Sequence, residues 1–462
     1  MKIVFAVHHP GAFRSFEGVV RCLCQMDHDV LVLHGRREKP IAMDRALKTC
    51  VRDLANCTEE EMLLRRSWTR LANIRELVNC ANYLRARHPN PSHARRWINK
   101  VRQPLRMIAK ARPGMKLMAS SRILHMLQSV ESITPPDREI TRWLEISRPD
   151  VVVASPFISP VSRELEYIKA ARLLHIPTVV AVLSWDNLTT KGTFHVIPDR
   201  VFVWNDALAD EAIEFHDVPQ NRISVTGAPV FDFWFDMQPS MPRSEFSARM
   251  GIDAQQPYFL YLGSSPFISR DETPFVRGLA KAMLTIPETR NIRLVVRPHP
   301  TNASRWKEID AENVTLWPKE AEYVDMPEVR QDFFNSLVYS AGVIGVNTSA
   351  MIEAAIVDRP CMTIMTAHHA RTQRGVGHFH HLLAGDFLEI ARSYSEACAV
   401  IAAVSGGRDL KKHQRQRFVR DFIRPGGIDI PASTIMAKAI VSAGHGGDSI
   451  QGFRPITCLN YQ

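Results

Sequence analysis

Asn347-Thr348-Ser349-Ala350 follows the apolar run Val343-Ile344-Gly345-Val346, and Glu353-Ala354 comes soon after it. Small amide and hydroxyl side chains between a strand and a helix start suit an anion. The unpaired N–H groups and the macrodipole of a helix start both favour negative charge. Asn347, Thr348 and Ser349 are therefore candidates for holding a phosphate. Glu353 lies about a turn and a half beyond Asn347 and can accept hydrogen bonds from the hydroxyls of an attached sugar. An ordinary capped strand–helix unit has the same composition, so the stretch needs support from elsewhere in the chain.

That support comes from other loops that follow apolar, strand-like runs. Gly263 and Ser264 come after Tyr258–Leu262 and offer a short loop for phosphate contact through amides and hydroxyls. Arg297-Pro298-His299-Pro300 sets a cation and an imidazole between two rigid residues, where Arg297 could neutralise a diphosphate with His299 beside it. A rigid turn is the plainer reading of the same four residues. In the stretch from His368 to His381, Arg371, Arg374 and His378 are further phosphate candidates. The histidines there raise the question of a metal. No HExxH and no carboxylates at ligand spacing accompany them, so no metal site is assigned.

Two loops in the first half carry groups able to move a proton. His8-His9-Pro10-Gly11 follows Met1-Lys2-Ile3-Val4-Phe5-Ala6-Val7. A histidine at a strand end can act as general base, because its pKa lies near neutrality. Strand alternation turns His8 partly toward the sheet and favours His9. Ser184-Trp185-Asp186-Asn187-Leu188-Thr189-Thr190-Lys191-Gly192 is dense in acceptors and includes a cation, and Asp186 is its candidate base. The competing reading is an Asx-turn loop that satisfies only itself. A third loop, Val225-Thr226-Gly227-Ala228-Pro229-Val230-Phe231-Asp232, reads first as a hinge, with ligand contact through backbone amides as the alternative.

The elements that position these loops alternate strand and helix. Short β-branched runs at 2–7, 29–33, 150–154, 178–183, 200–204 and 223–226 predict strands in the first half. Runs at 258–262, 292–297, 314–317, 343–346 and 361–365 predict them in the second. Apolar residues at helical spacing lie between many of them. Such alternation implies parallel sheets with right-handed crossovers. The expected fold class is α/β, with two Rossmann-like doubly wound domains facing across a cleft. The first spans 1–235 and the second 245–443, joined through the Pro-containing segment around 236–242, and 444–462 is a tail.

The chain's 462 residues suit two such domains, and its formal charge of +10 is unevenly spread. Between Met62 and His125 fifteen Lys or Arg residues face one acid, Glu76. This basic helical insert (62–125) interleaves cations with Trp68, Leu71, Ile74, Leu77, Trp97, Val101, Leu105 and Ile108. Anionic membrane surface, polyanionic acceptor and solvated helices are its three readings. Nucleic acid is disfavoured, because no recognised binding motif accompanies the charge. No run approaches the roughly 18 apolar residues of a membrane span. The eight cysteines form no CxxC pair, which argues against zinc and a disulfide framework and for reduced thiols in the cytoplasm.

Ile223–Asp232 (ISVTGAPVFD), the turn from Asn347 to Ala354 with Pro360 after it, and the two-domain plan resemble the GT-B glycosyltransferase superfamily. The likeness runs to its UDP-N-acetylglucosamine 2-epimerase branch, its peptidoglycan lipid-linked N-acetylglucosamine transferase and its CDP-glycerol-type polyol-phosphate transferases. Arg297–Pro300 (RPHP) also looks like a motif of bacterial surface-polysaccharide transferases. In that superfamily the acid matching Glu353 contacts the ribose, and the residues matching Asn347, Thr348 and Ser349 hold the diphosphate. This chain has Asn-Thr-Ser where those proteins have Ser-Gly-Gly or Ser-Gly-Ala. It also lacks the Gly-Thr-Arg-Pro-Glu that epimerases carry after strand one, which argues against epimerisation. The resemblance implies a metal-independent glycosyltransferase that uses a nucleotide-diphosphate sugar as donor and needs no other cofactor. Its acceptor would be a lipid-linked or cell-surface polysaccharide, and its place cytoplasmic, peripheral on the inner face of the membrane. A sugar-nucleotide 2-epimerase, a polyol-phosphate transferase and a non-catalytic scaffold of polysaccharide assembly are the alternatives.

Overall fold

The computed structural model describes residues 1–35, 45–63, 71–85, 88, 91–103, 105–158, 162–320 and 326–446. Residues 447–462 of the expected tail, and Arg65, Arg66, Trp68, Arg70 and Arg87 of the insert, lie outside the described residues.

The chain divides into two compact units, Met1–Asp232 with Phe422 onward, and Phe233–Asp421. The first holds seven strands, β1 (Lys2–Val7), β2 (Asp29–His34), β3 (Cys57–Glu61), β4 (Val151–Ser155), β5 (Thr178–Ala181), β6 (Arg200–Val203) and β7 (Ile223–Val225). Their spatial order is β3-β2-β1-β4-β5-β6-β7, all parallel. The second holds β8 (Tyr258–Leu262), β9 (Arg293–Arg297), β10 (Val314–Leu316), β11 (Gly342–Gly345), β12 (Cys361–Ile364) and β13 (Leu388–Ala391). These run β10-β9-β8-β11-β12-β13, again all parallel. A parallel sheet is covered on both faces, so its central strands must be apolar throughout. Residues 3–7 of β1 and all of β4, β8 and β11 are buried accordingly. Each sheet reverses direction once, between β1 and β4 in the first unit and between β8 and β11 in the second.

Two edge strands, β3 and β13, were not expected from the sequence. β3 reads Cys-Thr-Glu-Glu-Glu, with only its first residue buried, and β13 spans four residues. Edge strands need bury little, so neither carries an apolar run to announce it.

The domain boundary at 443 is a further difference, because the second unit ends at Asp421. The helix Ala432–Gly444 returns to the first unit and places Met436, Ala437, Ala439, Ile440 and Ala443 in the core formed by Phe5, Phe16, Val20 and Val153. Asp232 fastens this return. Its carboxylate accepts from the amides of Ala432 and Ser433 at 3.0 and 2.7 Å and pairs with the Arg424 guanidinium at 3.0 Å. Gly227 makes room for it, with φ of 83° and an added Cβ only 2.7 Å from Ala432 Cβ.

The basic insert forms helices Ala72–Leu84, Pro91–Lys100, Leu105–Lys110, Arg112–Met118 and Ser121–Ile133. Solvated helices would carry Arg75 outward, yet it is fully buried. It holds Glu131 at 2.8 Å and Glu166 at 2.7 Å, while Lys169 reaches Glu131 at 2.8 Å. Burial alone would raise the Glu131 carboxyl, but Arg75 and Lys169 outweigh it and hold the group at about 2. Because Glu166 and Lys169 sit on the helix Glu164–Leu173, this network ties the insert to the body of its unit.

Candidate functional site

In an open parallel sheet the loops at the strands' C-terminal ends diverge where the strand order reverses, and a ligand can enter there. In the second unit that point lies between β8 and β11. Gly263 and Ser264 end the first of these strands and Asn347 follows the second, so two of the expected phosphate segments sit on neighbouring strands. Gly263 donates to the Arg297 carbonyl at 2.9 Å, and a Cβ on it would stand 3.2 Å from both Arg297 O and His299 N. A larger residue there would push against the end of β9. Ser264 is buried and donates its amide to Glu272 at 3.0 Å.

The amides that open the helix Ala350–Ile356 are less available than expected. Ala350 N–H points to Thr348 Oγ1 at 3.3 Å, Met351 N–H to Thr348 O at 3.2 Å, and Ile352 N–H to Ser349 O at 2.8 Å. The helix is only seven residues long. Asn347 is buried and turned to the neighbouring loop, donating to Thr372 O at 2.8 Å with His378 Nε2 3.4 Å away. Thr348 is partly exposed, Ser349 is exposed and Glu353 is half-buried.

Arg297 is a correction to the expected diphosphate role. Its guanidinium is buried and committed to Asp332 at 2.8 Å, with Ser336 Oγ and Val329 O both at 3.4 Å. A buried guanidinium paired within its own unit is a structural strut. His299 likewise serves locally, its Nδ1 accepting the Thr301 amide at 3.2 Å to open the turn Pro300–Trp306. Burial lowers its pKa.

Arg371 and Arg374 are placed differently. Both are exposed, on the loop after β12. Gln373 between them is fully buried and donates to Ile364 O at 2.7 Å, Val346 O at 2.9 Å and Thr363 Oγ1 at 3.2 Å. One side chain thus bolts the loop to the ends of β11 and β12. Asn347 adds a second bolt, so the loop's cations stand beside the switch point. Gln373 went unremarked in the sequence, where a Gln among basic residues carries no signal.

In the first unit the switch point lies between β1 and β4, and His8 and His9 follow β1. His9 is the more exposed. Nδ1 of His8 lies 3.3 Å from Oε1 of the fully buried Glu164, whose other oxygen takes the Ser162 hydroxyl. A buried carboxylate this close to one ring nitrogen acts on the ring through its charge. Both histidines stay candidate bases, and the Glu164 contact is the ground for taking His8 first. An acid in the first turn after β4 was the available signal.

Asp186 ends a loop two strands away, after β5. It accepts Thr190 Oγ1 at 2.9 Å and lies 3.4 Å from Lys191 Nζ, while Asn187 Oδ1 takes the Ser184 amide at 3.1 Å. These are the bonds of a self-organised Asx loop, and Trp185 in it is buried. The insert completes the support, with Tyr83 donating to Lys191 O at 2.7 Å and Asn79 Oδ1 taking the Thr193 amide at 2.7 Å. Among the described residues no three His, Cys, Asp or Glu side chains gather where they could hold a metal ion.

No family model matches the sequence, and no curated protein matches it. Solved structures do resemble it. A UDP-GlcNAc 2-epimerase from Neisseria meningitidis, bound to UDP-GlcNAc, superposes with a TM-score of 0.56 at 12% identity, over 96% of this chain and 100% of its own. The corresponding values for the UDP-GlcNAc 2-epimerase of Methanocaldococcus jannaschii are 0.54, 12%, 96% and 99%. A glycosyltransferase from Rickettsia africae gives 0.52 at 10% identity, over 95% and 98%. At such identities the likeness is one of fold alone, and the chain shares its fold with these enzymes.

Proposed function

We propose that the protein is a glycosyltransferase that takes a sugar from a nucleotide-diphosphate donor. The observation that carries this reading is the second unit's switch point. There Gly263-Ser264 and Asn347–Ser349 end adjacent strands, and a loop fastened by Gln373 presents Arg371 and Arg374 beside them. Two exposed guanidiniums on a rigid loop suit the charge that builds on a leaving diphosphate. Likeness to structures that hold UDP-GlcNAc agrees with such a donor. Thr348, Ser349 and Glu353 remain the contacts assigned to phosphate and ribose.

The acceptor is assigned to the first unit. His8, with the Glu164 carboxylate 3.3 Å from its Nδ1, takes the proton from the acceptor hydroxyl. The hydroxyl oxygen then bonds to the anomeric carbon, and the bond to the diphosphate breaks with its electron pair on the leaving group. A lipid-linked or surface-polysaccharide acceptor fits the motif likeness of Arg297–Pro300.

Isothermal titration with UDP, CDP and GDP tests the donor half. One of the three should bind, and the double variant Arg371→Ala/Arg374→Ala should bind it at least about tenfold more weakly, as loss of charge-assisted bonds requires. No binding by any nucleotide ends the reading. NMR of donor with enzyme alone tests the chemistry, because a 2-epimerase turns over donor without acceptor and a transferase does not.

A further inference from the structure

Two consecutive helices of the insert, Leu105–Lys110 and Arg112–Met118, each bury a small residue and expose large apolar ones, and the next, Ser121–Ile133, buries Leu124 but exposes Met126. Ala109 is buried with Cys80, Tyr83 and Trp97, and Leu124 with Val78 and Ala81. Gly114 lies so close under the Ile108 carbonyl that a Cβ would come within 2.0 Å of its oxygen. Two positions along a helix is a rotation of about 200°. Met107, Lys116 and Met126 each stand two positions from the buried Ala109, Gly114 or Leu124, and so on the far side of their helices. Leu105, Met107, Ile108, Leu117 and Met126 are 40%, 62%, 53%, 58% and 55% exposed. They make up five of the thirteen large apolar side chains exposed among the described residues. Residues 105–126 hold Arg106, Lys110, Arg112, Lys116 and Arg122 and no acid.

A helix that merely faces water shows the reverse pattern, with its long aliphatic side chains packed inward. Exposed Met, Leu and Ile interleaved with cations ask for a partner with an apolar interior beneath a negatively charged face. Nucleic acid offers the charge, but positions 105–126 contain no Phe, Tyr or Trp on which bases could stack. A polysaccharide offers no apolar interior. An anionic bilayer offers both. The described helices are too short and polar to cross it, which suits elements that lie in the interface.

We infer that this helical layer docks the protein on an anionic lipid surface. Its apolar side chains enter the headgroup boundary and its cations lie among the lipid phosphates. The inference stands apart from the glycosyltransfer reading, because lipid binding and nucleotide binding are measured separately and either can fail alone.

Co-sedimentation of the full chain with phosphatidylcholine vesicles, with and without phosphatidylglycerol, tests it. Binding is expected to the anionic vesicles only and to weaken as salt rises. Lys110→Gln/Arg112→Gln/Lys116→Gln should lower it about a hundredfold, at roughly fivefold for each cation. Met107→Asn/Ile108→Asn/Leu117→Asn should lower it about tenfold or more, and the control Lys412→Gln should leave it unchanged. Circular dichroism must show wild-type helicity in each variant. Three results overturn the inference: equal binding to neutral vesicles, wild-type binding by the folded apolar variant, or tighter binding to duplex DNA than to anionic vesicles at the same salt.

Discussion

Glu272 is a carboxyl inside the second unit at the start of the helix Thr273–Thr285, and its surroundings make it a proton-linked residue. Burial pushes its pKa from 4.5 up to about 7, a rise that the Ser264 amide opposes without cancelling. Between those two values the folded protein keeps a proton that the unfolded chain has released. Stability from this group is therefore full below 4.5 and is lost as the pH climbs through about 7. The change amounts to about 3 kcal/mol. Glu272→Gln keeps an acceptor for Ser264 but removes the titration. Thermal denaturation across that interval should show a flatter pH dependence for the variant, and identical slopes would contradict the assignment. Arg297 makes the matching point for a cation. Because its charge is buried against Asp332, Arg297→Ala should unfold the second unit more easily, by about 3–5 kcal/mol. Losing nucleotide affinity with an unchanged melting temperature would instead return it to the binding site. Neither burial could be read from residue type alone.

At the level of elements, strands with β-branched runs were legible, as were most of the helices between them, because period and composition report burial directly. The edge strands were not, because β3 and β13 are stabilised by pairing with β2 and β12 rather than by their own apolar content. The insert was half legible. Its charge was evident, but nothing in the sequence showed which cation pays inward, since Arg75 resembles its neighbours in every local respect. Its partners Glu131 and Glu166 lie 56 and 91 residues away. Arg75→Met should leave two carboxylates buried with less compensation and cost about 3–5 kcal/mol. It should also loosen the loop that Asn79 and Tyr83 hold, since both sit on the helix of Arg75. Hydrogen exchange at residues 186–193 checks this, and protection unchanged from wild type would show that the insert and the loop are not coupled.

For the molecule as a whole, the decisive feature is that the first unit is built from two separated stretches of chain. The sequence concealed this. The expected second domain ran to 443 and took in residues 432–443 with the rest. What sends the helix back is Asp232, 200 positions before Ala432, capping its first amides while pairing with Arg424. The second unit, Phe233–Asp421, is one continuous segment with its own core around Tyr261, Leu294, Ile344 and Trp306. Expressed alone it should fold, with a cooperative thermal transition. Residues 1–421 should behave otherwise. They lack Met436 and Ile440, each a buried side chain whose removal costs about 2–5 kcal/mol. That loss is comparable to the 5–15 kcal/mol by which whole domains are stable. Calorimetry of this truncated chain should therefore show the second unit's transition intact and the first unit's lowered or absent. Two undiminished transitions would mean that the returning helix is dispensable to the core it enters.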